Sequence, residues 1–153
     1  MEIEVKIYGL PGERKQKRKH TFIYSLDGGW GKSYAIDTFT DEYSAYKLED
    51  VNNAVGVPES AQFIIFDEYI REEKLELSKL RKIANHNAKG ASLNRKSHGQ
   101  SFIPREDVQI IILSNESPYD IYGKWDTALQ RRVVPAKMLS TITQRFNIVR
   151  LDG

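Results

Sequence analysis

The sequence predicts an α/β domain in which a mostly parallel sheet is sandwiched between helices. Short apolar runs alternate along the chain with helical patterns, and this order is typical of a parallel sheet. The runs at residues 62–66 and 108–113 are apolar almost throughout and do not alternate with polar residues. Such continuous apolar strands indicate a sheet that is buried on both faces.

The predicted elements follow one another from residue 21. A strand at 21–26, rich in aromatic and β-branched residues, runs into a turn at Asp27 and is followed by a helix at 32–39. Further strands are predicted at 43–48, 62–66, 108–113 and 146–151, and further helices at 72–83, 125–130 and 136–141. The polar segment 89–104 is predicted to be a hairpin or an exposed loop.

Composition narrows the class of protein. The 153 residues are enough for one domain with a core, and the formal net charge of +2 does not by itself indicate a nucleic-acid partner. The chain has no cysteine, which excludes disulfides, thiolate catalysis and cysteine-ligated zinc. The apolar runs are too short to cross a bilayer and the first residues lack a signal-peptide layout, so we expect a soluble, intracellular protein without a membrane partner.

Residues 1–20 differ from the rest of the chain. Ile3, Val5 and Ile7 alternate like a short strand, and a basic run occupies residues 14–19. The run is either a solvated linker or a nucleic-acid or nuclear-targeting signal. We therefore predict an N-terminal segment with a basic linker at 1–20 and a second unit at 21–153.

The sharpest local signal is a glycine-rich turn between the first strand and the first helix. It comprises Asp27, Gly28, Gly29, Trp30, Gly31, Lys32 and Ser33. Glycines let backbone N–H groups curl around a phosphate, Lys32 can reach the β- and γ-phosphates, and the Ser33 hydroxyl can ligate Mg²⁺. The strict motif spacing requires a glycine at Leu26, or at Ser25 in a loop one residue longer. A strand, turn and helix with an incidental Gly-Lys-Ser is therefore the alternative.

Polar side chains end the two most apolar strands. Asp67 and Glu68 follow the strand at 62–66, and Asn115 follows the strand at 108–113. An acid at the end of a strand beside the phosphate-binding turn can hold Mg²⁺ through water, and a neighbouring acid can activate the attacking water. Asp67 is therefore assigned to the metal and Glu68 to the base. Asn115 can orient that water or contact the γ-phosphate. Turn formation is the alternative explanation for all three residues.

An arginine precedes the last predicted strand. Arg145 could reach the γ-phosphate in a neighbouring subunit and stabilise the charge that develops during phosphoryl transfer. Arg131 and Arg132 are alternatives for the same role, and a plain surface charge is the simplest explanation of Arg145.

These motifs, in this order, resemble the superfamily 3 helicase domain of replication-associated (Rep) proteins of circular single-stranded DNA viruses, of the nanovirus and alphasatellite type. The resemblance covers roughly residues 21–151. It is carried by four segments: 28–33, 66–68, 112–115 and 145–148. It implies an AAA+-like P-loop NTPase fold, ATP and Mg²⁺ as cofactors, single-stranded DNA as partner and a homo-oligomeric, hexameric ring. A viral Rep would act in the host nucleus. This chain would then be either a fragment of a larger initiator or a stand-alone motor.

The resemblance also implies a basic hairpin that contacts DNA, which falls on Arg95, Lys96 and His98. Cations on a loop flanked by glycines suit a sugar–phosphate backbone. We expect an ATP-driven DNA helicase. Three alternatives stay open: a small P-loop kinase, an RNA-virus helicase of the same superfamily, and a scaffold that binds nucleotide without hydrolysing it.

Overall fold

A computed structural model describes residues 20–29, 31–54, 56–85, 92–95, 100–104 and 108–152. In chain order the elements are β1 (His20–Tyr24), α1 (Lys32–Glu42), β2 (Ala45–Leu48), β3 (Phe63–Phe66), a 3₁₀ turn (Arg71–Glu73), α2 (Leu77–Ala84), β4 (Leu93–Arg95), β5 (Gln100–Phe102), β6 (Gln109–Ser114), α3 (Pro118–Tyr122), β7 (Lys124–Asp126), β8 (Arg131–Val133), α4 (Ala136–Arg145) and β9 (Phe146–Arg150).

The central sheet has five strands in the order β2-β3-β6-β1-β9, and all four neighbouring pairs are parallel. The connection from β1 leads to β2 on one side, whereas the chain that leaves β6 reaches β9 on the other. Ligands of open α/β sheets bind beyond the carboxyl ends of the strands, where the connections diverge in this way. The carboxyl ends of β1 and β6 are therefore the first place to look for a site.

Both faces of the sheet are covered, as the continuous apolar runs predicted. Ile23 and Ile65 pack with Ile36 of α1 on one face. Phe22 and Ile112 belong to a larger core on the other face. Helices α2, α3 and α4 contribute Leu80, Ile83, Ile121 and Ile142 to this second core. The predicted α/β class with a mostly parallel sheet flanked by helices is confirmed.

The start of β1 is fixed by a buried histidine. His20 is fully buried; its Nε2 lies 2.6 Å from the Ala84 carbonyl oxygen, and its Nδ1 accepts a hydrogen bond from the Ile110 N–H at 2.9 Å. This pair of contacts requires the neutral ring with its proton on Nε2. β1 thus begins one residue before the predicted boundary at 20/21.

The predicted helices at 32–39 and 136–141 begin where α1 and α4 begin but end earlier, and the other two predicted helices differ more from the structure. Helix 72–83 is shorter, because Leu75 is buried in extended chain with its N–H donating to the Tyr69 hydroxyl at 2.9 Å, so α2 begins at Leu77. The helix predicted at 125–130 is wrong, because β7 and β8 pair there as an antiparallel hairpin. The Asp126 carboxylate accepts the Leu129 N–H at 3.0 Å, which stabilises a turn where a helix would need to continue.

Several predictions concern residues outside this description. The strand at 3–7 and the basic run at 14–19 are among them. The polar segment at 89–104 contains the antiparallel pair β4–β5, so the predicted hairpin is confirmed for its described residues. No helix in the described ranges is long and apolar enough to span a membrane.

Candidate functional site

A cleft of about 230 Å³ opens at the carboxyl edge of the sheet, beyond β1, β3 and β6. It is lined by Gly28, Gly29, Gly31, Lys32, Tyr34, Asp67, Glu68, Leu113, Ser114 and Asn115. Most of the residues predicted for phosphate, metal and water activation therefore line one cavity. β6 lies between β1 and β3, so Asn115 comes between the lysine that follows β1 and the acids that follow β3.

Gly28, Gly29 and Gly31 form one wall of the cleft. They belong to the segment 26–31, here called the glycine loop. Gly29 and Gly31 have φ angles of 83° and 73°, in the left-handed region where a side chain is strained. Gly31 is the N-cap of α1 and has no side chain with which to accept a hydrogen bond from the first turn. The amide groups at this helix end and the positive end of its dipole favour an anion.

Lys32 projects from the start of α1 into the cleft. Its ammonium donates to Ser25 Oγ at 2.5 Å and to Asn115 Oδ1 at 2.9 Å, which joins the ends of β1 and β6. Burial lowers the pKa of Lys32 below its ordinary value of 10.5, while the charges of Asp152 and Asp67 act in the opposite direction. Because the Asn115 amide oxygen accepts a hydrogen bond from Lys32, the N–H groups of the same amide can donate to another oxygen acceptor.

Asp67 is held by a lysine that sequence patterns did not single out. It is 9% exposed, and Lys47 on β2 lies 3.6 Å from its Oδ2 and 2.6 Å from Asp37. Burial alone lowers the pKa of Lys47, but the hydrogen bond with Asp37 and the charge of Asp67 outweigh it and raise the pKa. Lys47 thus orients the Asp67 carboxylate and balances part of its charge.

Glu68 is exposed at the rim and has an unusual backbone. Its φ is 51°, in the left-handed region, and its N–H donates to Asp67 Oδ1 at 3.0 Å. A non-glycine residue held in this region costs free energy and tends to occur at functional sites. Glu68 lines the cleft, while Asp67 stays buried at the strand end.

Buried hydrogen bonds beneath the cleft fasten the loop after β3 to β6. Ser114 Oγ donates to the Tyr69 carbonyl at 2.6 Å and accepts the Glu116 N–H at 2.9 Å. The hydroxyls of Tyr69 and Tyr122 lie 2.6 Å apart, and Tyr122 donates to the Leu75 carbonyl at 3.0 Å. Glu68 and Asn115 are therefore carried by two turns that cannot move independently at low cost.

The base of the glycine loop is fastened by a residue that sequence reasoning missed. Asp152 Oδ2 accepts the N–H groups of Leu26 and Asp27 at 2.8 and 3.1 Å, and Oδ1 accepts Arg150 Nε at 2.9 Å. The hydrogen bond from Arg150 is the main cause that lowers the pKa of Asp152. Its side chain is only 4% exposed. Because β9 lies beside β1, an acid just after β9 reaches the loop that follows β1, which only the strand order reveals.

Arg145 lies far from the cleft of its own chain. Residue 146 pairs with His20, so Arg145 is at the amino edge of the sheet, about 16 Å from the carboxyl edge for a five-residue strand. Its guanidinium donates to Asn85 Oδ1 at 2.9 Å and to the Thr141 carbonyl at 3.3 Å. Burial, and then the charge of Arg81, lowers its pKa. A role at its own cleft is excluded, and the predicted role in a neighbouring subunit stays a prediction.

Other predicted site residues lie partly or wholly outside the description. Ser33 belongs to α1 and Arg95 to β4, but their side chains are not described. Trp30, Lys96 and His98 lie outside the described ranges. Their predicted contacts with nucleotide, metal or DNA stay predictions.

The chemistry of the cleft suits a phosphate ester with a divalent cation. An ammonium and a helix N-terminus face two carboxylates and an amide across a small cavity. Within the described ranges no three His, Asp or Glu residues cluster as a metal site. Mg²⁺ characteristically takes one or two carboxylates and completes its shell with water and substrate phosphates, so a single carboxylate such as Asp67 is compatible with such an ion.

Comparison with known proteins adds no family to this description. No protein-family model matches the chain, and a search of curated proteins finds no match either. The inference to function therefore depends on the cleft itself.

Proposed function

We propose that the cleft binds and hydrolyses ATP with Mg²⁺, and that the protein is the P-loop, AAA+-like motor of a superfamily 3-type DNA helicase. One observation carries the proposal: Lys32, Asp67, Glu68 and Asn115 come from three separate strand ends and line the same cleft. A lysine, two acids and a polar amide are the parts that phosphoryl transfer to water needs.

The glycine loop and Lys32 are proposed to hold the triphosphate. The N–H groups at the start of α1 and the Lys32 ammonium would contact the phosphate oxygens, replacing the bonds from Lys32 to Ser25 and Asn115. Asp67, with Ser33, would hold the metal through water, and Lys47 keeps that carboxylate in place. When bound, Mg²⁺ neutralises charge on the β- and γ-phosphate oxygens.

Glu68 is proposed to accept the proton of the attacking water. Its exposed side chain lines the cleft beside Asp67, and its backbone has a left-handed φ. Asn115 would orient the same water or the γ-phosphate through its amide N–H groups. Both side chains stand on turns joined by the Ser114 and Tyr69 hydrogen bonds, which support a fixed separation between base and amide.

Arg145 is proposed to act on the cleft of a neighbouring copy of the chain. Its place at the opposite edge of the sheet supports this arrangement, because it could complete a site only from outside. Assembly as a homo-oligomeric ring follows from that requirement. The ring would surround single-stranded DNA, with Arg95, Lys96 and His98 of the β4–β5 hairpin among the contacts.

The experiment measures ATP turnover at increasing protein concentrations, with and without single-stranded DNA. We expect turnover per chain to rise with both, because each site needs a neighbour and the motor works on DNA. Lys32→Ala should reduce turnover by roughly 10²-fold or more, since a cation that stabilises developing charge is lost. Lys82→Ala, which removes an exposed lysine on α2, is the matched control and should leave turnover unchanged.

The alternatives give different results in the same assay. Wild-type turnover in Lys32→Ala contradicts the proposed site. Phosphate transfer to a small acceptor, independent of protein concentration and DNA, indicates a kinase. Binding of Mg·ATP without any turnover indicates a scaffold.

A further inference from the structure

The β7–β8 hairpin, residues 124–133, exposes a large aromatic side chain among cations. Trp125 is 57% exposed and Leu129 53%. Lys124, Arg131 and Arg132 are exposed as well. A tryptophan left in water forgoes the stabilisation that burial gives, and on a surface it is typical of a contact site.

The turn of this hairpin leaves its cations available. Asp126, the one acid between residues 124 and 133, accepts the Leu129 N–H, and Gln130 closes the turn with a φ of 53° while its amide donates to the Thr127 carbonyl at 2.8 Å. In the part of the chain that the structure describes, Lys124, Arg131 and Arg132 form no ion pair. Among the described residues, these three cations therefore have no ion-pair partner, and Arg131 lies directly opposite Asp126 in the strand pairing.

The register brings the aromatic ring and an arginine to one face. Trp125 pairs directly with Arg132, and side chains of directly opposed residues in an antiparallel pair point to the same side. A ring beside a guanidinium can stack on a base and contact the adjoining phosphate. This combination selects a flexible chain of aromatic bases joined by phosphates, because a duplex hides the faces of its bases.

The base of the hairpin is fastened beside the candidate catalytic cleft. Arg71 donates to the carbonyls of Asp120 and Gly123 at 3.1 and 2.6 Å, and its N–H donates to the Glu116 carboxylate at 3.2 Å. Arg71 follows Glu68 by three residues, and Glu116 follows Asn115. Arg71 thus ties the start of the hairpin to the segments that follow the proposed base and amide.

We propose that the β7–β8 hairpin is a binding site for single-stranded nucleic acid, with Trp125 stacking on a base and Arg132, on the same face, contacting the adjoining phosphate. The proposal rests on the proposed function for its choice of polymer, since a strand-translocating motor must hold its strand near the cleft. It adds a second contact surface to the β4–β5 hairpin, in a different connection of the fold.

The test uses the tryptophans of the chain, which are Trp30 and Trp125. In Trp30→Phe, fluorescence reports Trp125 alone, and titration with a 30-nucleotide oligo(dT) should quench it to saturation as bases stack. In protein that retains Trp30, the fluorescence anisotropy of labelled oligo(dT) should show that Trp125→Ala lowers the affinity for oligo(dT) by about 5-fold or more. Trp125→Phe should restore most of the affinity, and Arg132→Gln should reduce the dependence of binding on salt.

Matched measurements separate this proposal from its alternatives. Lys82→Ala removes one exposed positive charge elsewhere and should bind oligo(dT) like the wild type, and oligo(U) in place of oligo(dT) distinguishes RNA from DNA. Lys32→Ala should keep oligo(dT) binding, so loss of turnover there tests the nucleotide site alone. Unquenched Trp125 fluorescence, or wild-type affinity in Trp125→Ala, overturns the proposal. Self-association lost in Trp125→Ala with oligo(dT) binding intact would instead make the hairpin a protein interface.

Discussion

The backbone at Glu68 offers a test that separates stability from chemistry. Its φ of 51° lies in the left-handed region, which costs an L-residue roughly 1–2 kcal/mol relative to the right-handed one. Glycine avoids that cost, although its greater freedom in the unfolded chain removes about 0.5–1 kcal/mol of the gain. We expect Glu68→Gly to be more stable than Glu68→Ala by about 1 kcal/mol, since both lack the carboxylate and differ only in the Cβ.

The same substitutions should lower activity. Glu68→Gly and Glu68→Ala both remove the proposed proton acceptor, so ATP turnover should fall by roughly 10²- to 10⁴-fold. Glu68→Gln keeps the shape of the side chain and should bind Mg·ATP normally without hydrolysing it. A Glu68→Gly variant that is more stable than Glu68→Ala and less active than the wild type is the pattern expected where backbone strain serves a functional site.

Urea unfolding followed by circular dichroism gives the free energies of unfolding of the wild type and the three variants, and steady-state ATP turnover gives their rates. A Glu68→Gly variant that is less stable than Glu68→Ala by about 0.5–1 kcal/mol, the cost of glycine's freedom in the unfolded chain, would show that the turn carries no strain. Normal turnover in Glu68→Gln would remove Glu68 as the base.

Three further predictions concern Tyr69, Asp152 and Arg145. Burial, opposed by hydrogen bonds with Tyr122 and Leu75, raises the pKa of Tyr69 from 10.0 to about 12. The contribution of the neutral Tyr69 phenol to the free energy of unfolding is therefore complete below pH 10 and is lost as the pH rises to 12. Urea unfolding across this pH range should show that the free energy of unfolding falls by about 3 kcal/mol in the wild type and by less in Tyr69→Phe. Asn at position 152 keeps an oxygen that can accept hydrogen bonds from the glycine loop, whereas Ala does not. Asp152→Ala should therefore weaken ATP binding more than Asp152→Asn does. Equal ATP affinities of the two variants, measured by calorimetry, would contradict the anchoring role of Asp152. Arg145→Ala should bind ATP normally but turn it over roughly 10³-fold more slowly. Mixing Arg145→Ala with Lys32→Ala should restore part of the rate, because some interfaces then join intact partners, and an inactive mixture at high protein concentration speaks against a role in trans.

The fold could be predicted from the sequence where burial is extreme. The residues of β3 and β6 are almost all apolar, and burial on both faces of a sheet is the simplest explanation for such runs. The sequence also predicts that the acids and the amide that follow these strands act at one site. They meet because the carboxyl ends of parallel strands lie at one edge of the sheet. The helix predicted at 125–130 was wrong because a hydrogen bond from the Leu129 N–H to the Asp126 carboxylate and a left-handed Gln130 stabilise the hairpin, and neither has a periodic pattern.

Lys47 and Asp152 could not be predicted as neighbours of the cleft. Lys47 reaches Asp67 because β2 pairs with β3, and Asp152 reaches the glycine loop because β9 pairs with β1. Both contacts depend on strand order, which local patterns do not encode. Arg145 was assigned from its position before the last strand, and only the parallel register reveals that it lies at the opposite edge from its own cleft.

Binding of ATP to the wild-type chain and to Lys32→Ala, measured by calorimetry with and without Mg²⁺, tests the central claim most directly. The wild type should bind one ATP per chain, more tightly with Mg²⁺ because Asp67 then contributes through the metal, and Lys32→Ala should bind at least 10-fold more weakly, which corresponds to about 1.4 kcal/mol. ATP binding that is the same in Lys32→Ala and indifferent to Mg²⁺, or no binding by the wild type, would contradict a nucleotide site at this cleft.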